Sequence, residues 1–310
     1  MSFPPALDCW FLSGPTASGK TTVGVELAEQ IGAEIISLDS MTLYRGMDIG
    51  TAKPTAAERD RVPHHLIDTV EPCEECSLAQ YLEAAWRCIH EIRARGRAVL
   101  FVGGTPLYLK GLLRGIFQGP PADWDLRKQL QEEARVHGPG CLHQRLGEVD
   151  PAAAQRLHPN DTRRLIRALE VFHKTGSPIS ELQRQFEVAR PAEACRVFVL
   201  DWQRQELYAR INARVEAMFS AGLVDEVRGL VARPRPLSKT AGQALGYREV
   251  LKHLAGRQDL TATVELVKTH TRQLAKRQLT WFRSLSECRF VGAGDPLDPS
   301  RVARQIAEAV

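Results

Sequence analysis

Eight residues near the N-terminus, GPTASGKT from Gly14 to Thr21, have the composition of a loop that binds phosphate. The glycines let successive backbone N–H groups turn toward one anion, and a helix starting at Lys20 would add the positive end of its dipole. The Lys20 ammonium would neutralise phosphate charge, and the Thr21 hydroxyl would reach a Mg²⁺ ion. Apolar residues before the loop and helix-spaced apolar residues after it predict the order of strand, loop and helix that phosphate binding needs.

Two polar residues, Asp39 and Thr105, end further predicted strands. Asp39 closes the apolar run AEIISLDS, and Thr105 follows the run RAVLFVGG. Ligands of open α/β folds bind where the carboxyl ends of parallel strands meet, so both side chains are expected beside the phosphate loop. Asp39 is there a metal ligand, a general base or only a cap for the turn after its strand. Thr105 either caps the following helix or directs its hydroxyl into the site.

The elements that position these residues alternate between strands and helices, which predicts a P-loop NTPase-like parallel sheet flanked by helices. From residue 119 to residue 191 the pattern is helical, which indicates an inserted all-helical subdomain. Residues 1–118 and 192–310 then form the α/β core with its C-terminal helices. The strand before Thr105 ends in glycines where a nucleotide-hydrolysing enzyme would have a metal-binding Asp.

Clusters of basic residues, and not the net charge of the chain, indicate which partner the protein could bind. A net charge of +4 over 310 residues does not by itself indicate a nucleic-acid partner. Any one basic helix face is usually solvated, but several together favour RNA. The basic faces comprise Arg163, Arg164 and Arg167, then Arg210 and Arg214, and finally Lys268, Arg272 and Lys276. No run approaches the roughly 18 apolar residues of a membrane helix, and the seven cysteines are scattered, so a cytoplasmic protein is expected.

Eight segments, taken in chain order, carry a resemblance to a known family. They are GPTASGKTT, SLDSMTLYRGMDIGTAKP, PHHLID, VGGTPLYLKGLL, HPNDTRRLIRALEV, RINARVEAM, ALGYREV and TRQLAKRQLTWFR. In this order the chain resembles the bacterial tRNA dimethylallyltransferases, from about Leu12 to Arg283. The resemblance implies transfer of a dimethylallyl group from dimethylallyl diphosphate to the N6 amine of the adenosine 3′ of the anticodon. The tRNAs would be those that read codons beginning with U, and the products N6-isopentenyladenosine and diphosphate.

The resemblance also implies a role for individual residues. The diphosphate would be bound by Gly14, Pro15, Thr16, Ala17, Ser18, Gly19, Lys20, Thr21, Arg210 and Arg214, with Mg²⁺ as cofactor at Thr21. Asp39 would be the general base, Thr105 would contact both diphosphate and adenosine, and Lys20 and Arg210 would assist departure of the diphosphate. The anticodon stem-loop would be bound by Asp39, Ser40, Met41, Thr42, Thr105, Arg127, Arg163, Arg164, Leu165, Ile166, Arg167, Gln243, Ala244, Leu245, Gly246, Tyr247 and Arg248. A monomer is expected.

Three other functions remain compatible with parts of the sequence. In a small-molecule or nucleoside kinase, the same loop, helical insertion and arginines would close over ATP. A prenyltransferase acting on free adenine nucleotides shares the chemistry, but it would have no use for the basic C-terminal helix. An RNA-binding protein without catalysis would keep the basic helices, but it would not need Lys20 and Asp39 together.

Overall fold

The structure, a computed structural model, describes residues 4–117, 119–138, 140–184 and 188–310. The chain divides into two compact units. The core unit comprises Pro5–Leu113 and Ala189–Val310, and the helical unit comprises Arg114–Val188. Residue 118, where the sequence placed the end of the first core segment, lies outside the described residues.

The core unit contains a sheet of six parallel strands, which confirms the predicted sheet. The strands are β1 (Trp10–Ser13), β2 (Ala33–Ser37), β3 (His64–His65), β4 (Ala98–Gly103), β5 (Val197–Asp201) and β6 (Cys288–Gly292), in the order β3-β2-β4-β1-β5-β6. The connection after β1 crosses β4 to reach β2, and the chain leaving β4 later crosses β1 to reach β5. The loops after β1 and β4 therefore diverge from two neighbouring strand ends, which is where open α/β sheets bind ligands.

Helices follow the strands and build the remainder of both units. In chain order they are α1 (Lys20–Ile31), α2 (Ala56–Arg61), α3 (Leu78–Ala94), α4 (Pro106–Arg114), α5 (Trp124–His137), α6 (Gly140–Val149), α7 (Pro151–Arg156), α8 (Thr162–Thr175), α9 (Ile179–Leu182), α10 (Arg204–Ser220), α11 (Leu223–Val231), α12 (Lys239–Gly242), α13 (Tyr247–Leu254), α14 (Leu260–Arg283) and α15 (Pro299–Ala307). Within the described residues, no helix combines the length and the apolar character that crossing a membrane requires.

Helices cover both faces of the sheet, which explains why its strands are apolar almost throughout. Val23 and Leu27 of α1 pack with strand residues and with Val302 and Ile306 of α15 on one face. On the other face α3 lies against β2 and β4, and the Tyr81 hydroxyl donates to the Ser37 carbonyl over 2.8 Å. This packing fixes the carboxyl ends of the strands, so the loops that leave them start from a rigid edge.

The helical unit has a separate hydrophobic core, in which α5, α6, α7, α8 and α9 all take part. Two buried carboxylates stabilise it. Asp150 accepts hydrogen bonds from the backbone N–H groups of Ala153 and Ser180, both over 2.9 Å. Glu170 accepts from the N–H of Asp123 over 2.7 Å and from two arginine side chains.

Candidate active site

The phosphate loop connects β1 to α1, as its sequence predicts. Gly19 has φ +86° and Ala17 has φ +63°, so two residues of the loop adopt the left-handed conformation. A side chain at Gly19 would also clash, because its Cβ would lie 2.3 Å from the Leu297 Cδ2. The backbone conformation therefore favours glycine at the residue before Lys20, and any side chain there would also have to displace Leu297.

Three carbonyl groups of the loop are held by side chains, two of them from outside the loop and one from Lys20. The Trp202 Nε1–H donates to the Ser18 carbonyl over 3.1 Å, and the Arg210 Nε–H donates to the Ala17 carbonyl over 3.0 Å. The Lys20 Nζ donates to the Pro15 carbonyl over 2.7 Å. Because C=O and N–H point in opposite directions across a trans peptide, fixing a carbonyl also fixes the direction of the next N–H. The loop is thus preorganised to present N–H groups to an anion.

Asp39 and Thr105 lie together at the neighbouring strand ends, as predicted from their positions in the sequence. The Thr105 N–H donates to the Leu38 carbonyl over 3.1 Å, and the Ser40 N–H donates to the Thr105 Oγ1 over 3.2 Å. The Met41 N–H donates to the Asp39 Oδ1 over 2.8 Å. Since Oγ1 acts as an acceptor in its contact with Ser40, the Thr105 hydroxyl can still donate its proton to a ligand.

The charged groups of the site perturb each other and are partly desolvated. Burial, aided by the charge of Arg214, lowers the pKa of Lys20 to about 7. Burial raises the pKa of Asp39, although the Met41 N–H and the Lys20 charge act in the opposite direction. Among the described residues, none of Lys20, Arg210 and Arg214 forms an ion pair with a carboxylate within 4.0 Å. The site thus has uncompensated positive charge, which a diphosphate would neutralise.

The donor set fits a magnesium ion that is held mainly by its ligand. Within the described residues, no group of three or more His, Cys, Asp or Glu side chains is arranged to hold a metal. Mg²⁺ prefers oxygen donors and commonly takes one or two from the protein, with phosphate oxygens and water completing the shell. The half-buried Thr21 hydroxyl, at the start of α1, is an oxygen of this kind.

An open groove of about 570 Å³ borders Arg214. One wall is formed by residues 48–59 and the other by α10, and much of the lining is apolar. The apolar lining includes Ile49, Ala217 and Met218. A groove with a guanidinium at its edge and hydrocarbon along its walls suits a ligand that has an anionic head and a short apolar tail.

Residues that the sequence analysis did not single out shape the segment after Asp39. The Glu226 carboxylate of α11 accepts from the backbone N–H groups of Asp48, Ile49 and Gly50 at 2.7–3.3 Å. The Lys53 Nζ donates to the Tyr44 carbonyl and to the Asp48 carboxylate, in each case over 2.6 Å. The role of Glu226 could not be read from local spacing, because Glu226 lies 178 residues from Asp48 in the sequence.

The predicted tRNA-binding residues of the core unit differ in exposure. Gln243 and Arg248 are exposed, Ser40, Met41 and Leu245 are partly exposed, and Thr42, Ala244, Gly246 and Tyr247 are buried. The Thr42 Oγ1 lies 2.7 Å from the Ser37 Oγ, and the Tyr247 hydroxyl donates to the Glu226 Oε1 over 2.6 Å. Thr42 and Tyr247 therefore support the loops. Gln243 lies where a macromolecule can reach it, whereas the exposed Arg248 also pairs with the buried Glu249 carboxylate over 2.6 Å.

The helical unit contains the other predicted tRNA-binding residues. Arg163 and Arg164 are exposed, whereas Leu165 and Ile166 are buried in the core of this unit. The Arg127 guanidinium donates to both oxygens of Glu170 at 2.8 Å, and the Arg167 guanidinium lies 2.5 Å from one of them. Arg127 and Arg167 therefore neutralise a buried carboxylate, and Arg163 and Arg164 are the members of this group that face solvent.

Known proteins match the chain over most of its length. The profile of the IPP transferase family matches residues 42–285. A tRNA dimethylallyltransferase from Rhodopirellula baltica is 49% identical over 294 residues, covering 92% of this chain and 88% of the relative. One from Geobacter sulfurreducens is 50% identical over 273 residues, covering 88% of each.

Two solved structures extend the similarity to the fold. The tRNA isopentenylpyrophosphate transferase from Bacillus halodurans has a TM-score of 0.70 and 39% identity, with 97% of this chain and 96% of that chain covered. A eukaryotic dimethylallyltransferase acting on tRNA has a TM-score of 0.76 and 27% identity, with 96% and 77% covered. The matches confirm the resemblance drawn from the motifs: the chain belongs to the IPP transferase family.

Proposed function

We propose that the protein transfers the dimethylallyl group of dimethylallyl diphosphate to the N6 amine of the adenosine 3′ of the anticodon. The tRNAs are those that read codons beginning with U, and the products are N6-isopentenyladenosine and diphosphate. The proposal rests on three cations, Lys20, Arg210 and Arg214, which lie at the same sheet edge as Asp39 and Thr105. Among the described residues, none of the three cations has a carboxylate partner within 4.0 Å. An allylic diphosphate needs this arrangement, because its reactivity depends on how well the departing charge is stabilised.

The leaving group would lie in the phosphate loop. As the bond between the allylic carbon and the bridging oxygen breaks, its electron pair stays on the diphosphate. The loop N–H groups and the Lys20 and Arg210 side chains stabilise the charge that develops there. The Thr21 hydroxyl would hold a Mg²⁺ ion, which would supply further positive charge to stabilise the departing diphosphate. The hydrocarbon part extends toward the apolar groove beside Arg214.

The acceptor amine loses a proton as its new bond to carbon forms. Asp39 accepts this proton, and the burial that raises its pKa makes it a stronger base than a solvated carboxylate. The Thr105 hydroxyl donates to a diphosphate oxygen, since its Oγ1 is held in place by the Ser40 N–H. The adenine has to leave the stack of the anticodon loop to reach these groups, so the base is extruded into the site.

The acceptor is an anticodon stem-loop, which the exposed residues of each unit contact. In the helical unit these are Arg163 and Arg164, and in the core unit they include Gln243 and Arg248. Arginine contacts of this kind go mainly to phosphate and position the RNA. The protein acts as a monomer in the cytoplasm.

The direct test is incubation with labelled dimethylallyl diphosphate and unmodified tRNA. Label should appear in tRNA, and it should disappear when guanosine replaces the adenosine 3′ of the anticodon. ATP consumption with a small acceptor and no tRNA labelling would instead support a kinase. Full activity on AMP without binding to an anticodon stem-loop would support a prenyltransferase of free nucleotides.

A further inference from the structure

The side chain of Gln278, on α14, connects two parts of the active site that are far apart in sequence. It is 8% exposed, and its Oε1 accepts from the Thr16 N–H of the phosphate loop over 2.9 Å. Its Nε2 donates to the Gly104 carbonyl over 2.5 Å. One planar amide therefore links the loop that follows β1 to the loop that follows β4.

The surroundings of Gly104 show how closely the catalytic elements approach each other at this link. A Cβ atom there would lie 2.7 Å from the Gln278 Nε2, 3.3 Å from the Gly14 carbonyl oxygen and 3.6 Å from the Lys20 Nζ. The next residue, Thr105, binds the Leu38 carbonyl and the Ser40 N–H. The position of Gly104 thus determines where the base-bearing segment lies relative to the phosphate loop.

We propose that Gln278 is a positioning residue for the transfer, an inference that rests on the proposed function. Its two hydrogen bonds hold the loop that binds the departing diphosphate at a fixed distance from the loop that carries Thr105. The reaction needs the diphosphate, the allylic carbon and the amine in line, and a misplacement of about 1 Å can cost on the order of a hundredfold in rate. Gln278 acts through both loops and does not itself touch substrate.

The first experiment compares Gln278→Met with Gln273→Met. Gln273 lies on the same helix but is exposed, so the control has the same change of side chain away from the link. Gln278→Met removes both hydrogen bonds at nearly constant volume, and kcat should fall about a hundredfold. The Kd for inorganic diphosphate should change less than about threefold, because Lys20 and the arginines remain.

A second variant, Gln278→Glu, separates positioning from packing. A protonated carboxyl can accept from the Thr16 N–H and donate to the Gly104 carbonyl, but a carboxylate cannot donate. The ratio of native to variant kcat should therefore rise with pH as the introduced carboxyl ionises. Four other charged groups lie in the site: Lys20 of α1, Asp39 after β2, and Arg210 and Arg214 of α10. Because both proteins contain them, their effects on kcat largely cancel in the ratio.

The outcomes distinguish this inference from the function on which it rests. An active native protein whose Gln278→Met variant matches Gln273→Met in kcat overturns the inference alone. A ratio for Gln278→Glu that does not vary with pH overturns it as well, and this result can be obtained even where the Met variant folds poorly. A native protein that transfers no label refutes the proposed function and the positioning role together.

Discussion

Asp39 in the core unit and Glu170 in the helical unit are both carboxylates near arginines, but their pKa values shift in opposite directions. Burial raises the pKa of Asp39. Burial also acts to raise the pKa of Glu170, but hydrogen bonds from Arg127, the Asp123 N–H and Arg167 overcome it and lower the pKa to about 2. Glu170 is fully buried with its arginines at 2.5–2.8 Å, whereas Asp39 has no ion pair within 4.0 Å among the described residues.

This difference in ion pairing distinguishes charged groups that stabilise the fold from charged groups that bind a ligand. At Glu170 the opposite charges are already matched inside the protein, so nothing further is needed to neutralise the arginines. Around Asp39 the cations exceed the anions, and this excess costs stability until an anionic ligand binds. A carboxylate near arginines thus stabilises the fold at Glu170 and serves ligand binding and catalysis at Asp39. Substitution of each carboxylate should therefore have a different result.

The largest effect is expected from Asp39→Ala. Removal of the base should lower kcat by about 10³-fold or more, because proton transfer from the amine loses its acceptor. The melting temperature should fall only slightly, since in the described residues Asp39 has no ion pair within 4.0 Å and the variant loses chiefly the hydrogen bond from the Met41 N–H. Steady-state transfer of the labelled prenyl group measures the first quantity and thermal unfolding the second. Turnover at the native rate would remove Asp39 from the role of base.

Glu170→Gln should have the reverse effect, with stability lost before activity. Arg127 and Arg167 would remain partly buried without their counter-charge, and breaking such a buried pair costs about 3 kcal/mol in the free energy of unfolding. Denaturant unfolding measures the loss. Glu132→Gln is the matched control, since Glu132 pairs with Arg135 at 58% exposure in the same unit and its removal should leave stability nearly unchanged. Equal losses in both variants would contradict the structural role of Glu170.

The contrast between local and distant partners also explains what the sequence could predict. The phosphate loop, the helix Lys20–Ile31 and the positions of Asp39 and Thr105 follow from patterns within a few residues, and the structure contains them. The hydrogen bond between Thr16 and Gln278 joins residues 262 positions apart. A single glutamine in a helix is too common for the sequence to indicate such a role. The sequence pattern likewise could not show that Arg167 pairs with a buried carboxylate while Arg163, one turn away, does not.

The C-terminal elements were missed for a different reason. Strand β6 is as long as β2 and β5, but only one of its five residues is buried, and CRFVG lacks the continuous apolar character of the central strands. A signal did exist for α15, because Asp298 caps it and Pro299 occupies its first turn. These elements matter to the site, since Leu297 between them contacts the phosphate loop at Gly19.

Diphosphate affinity should depend on pH through Lys20, with an effect of about tenfold per pH unit at most. Below pH 7 the free site already carries a protonated Lys20, so this group adds no pH dependence. Above its pKa of about 7 the free amine is neutral, and binding of the anion must take up a proton. The Kd for inorganic diphosphate should therefore rise with pH above 7, until the pKa of Lys20 in the complex is passed.

Lys20→Arg provides the control for this pH dependence, because arginine keeps its charge throughout the range. The ligand's own titration affects both proteins equally, so the ratio of their Kd values isolates Lys20. Calorimetry in buffers of different ionisation enthalpy would detect the proton uptake directly. A ratio that stays constant from pH 6 to 9 would show that Lys20 is charged in the free site.

The smallest effect is expected from Arg163→Ala, and it tests whether the exposed arginines of α8 contact RNA. Arg163 is exposed, so its removal should leave the free energy of unfolding unchanged, unlike removal of Arg167 one turn away. If Arg163 contacts a phosphate, binding of an anticodon stem-loop should weaken a few-fold, and the slope of log K against log salt should fall by about one. kcat at saturating tRNA should be retained, because the contact positions the acceptor without touching the reacting atoms. An unchanged salt slope would instead identify Arg163 as part of a solvated helix face. The neighbouring Arg164, which is also exposed, would then be the next arginine to test.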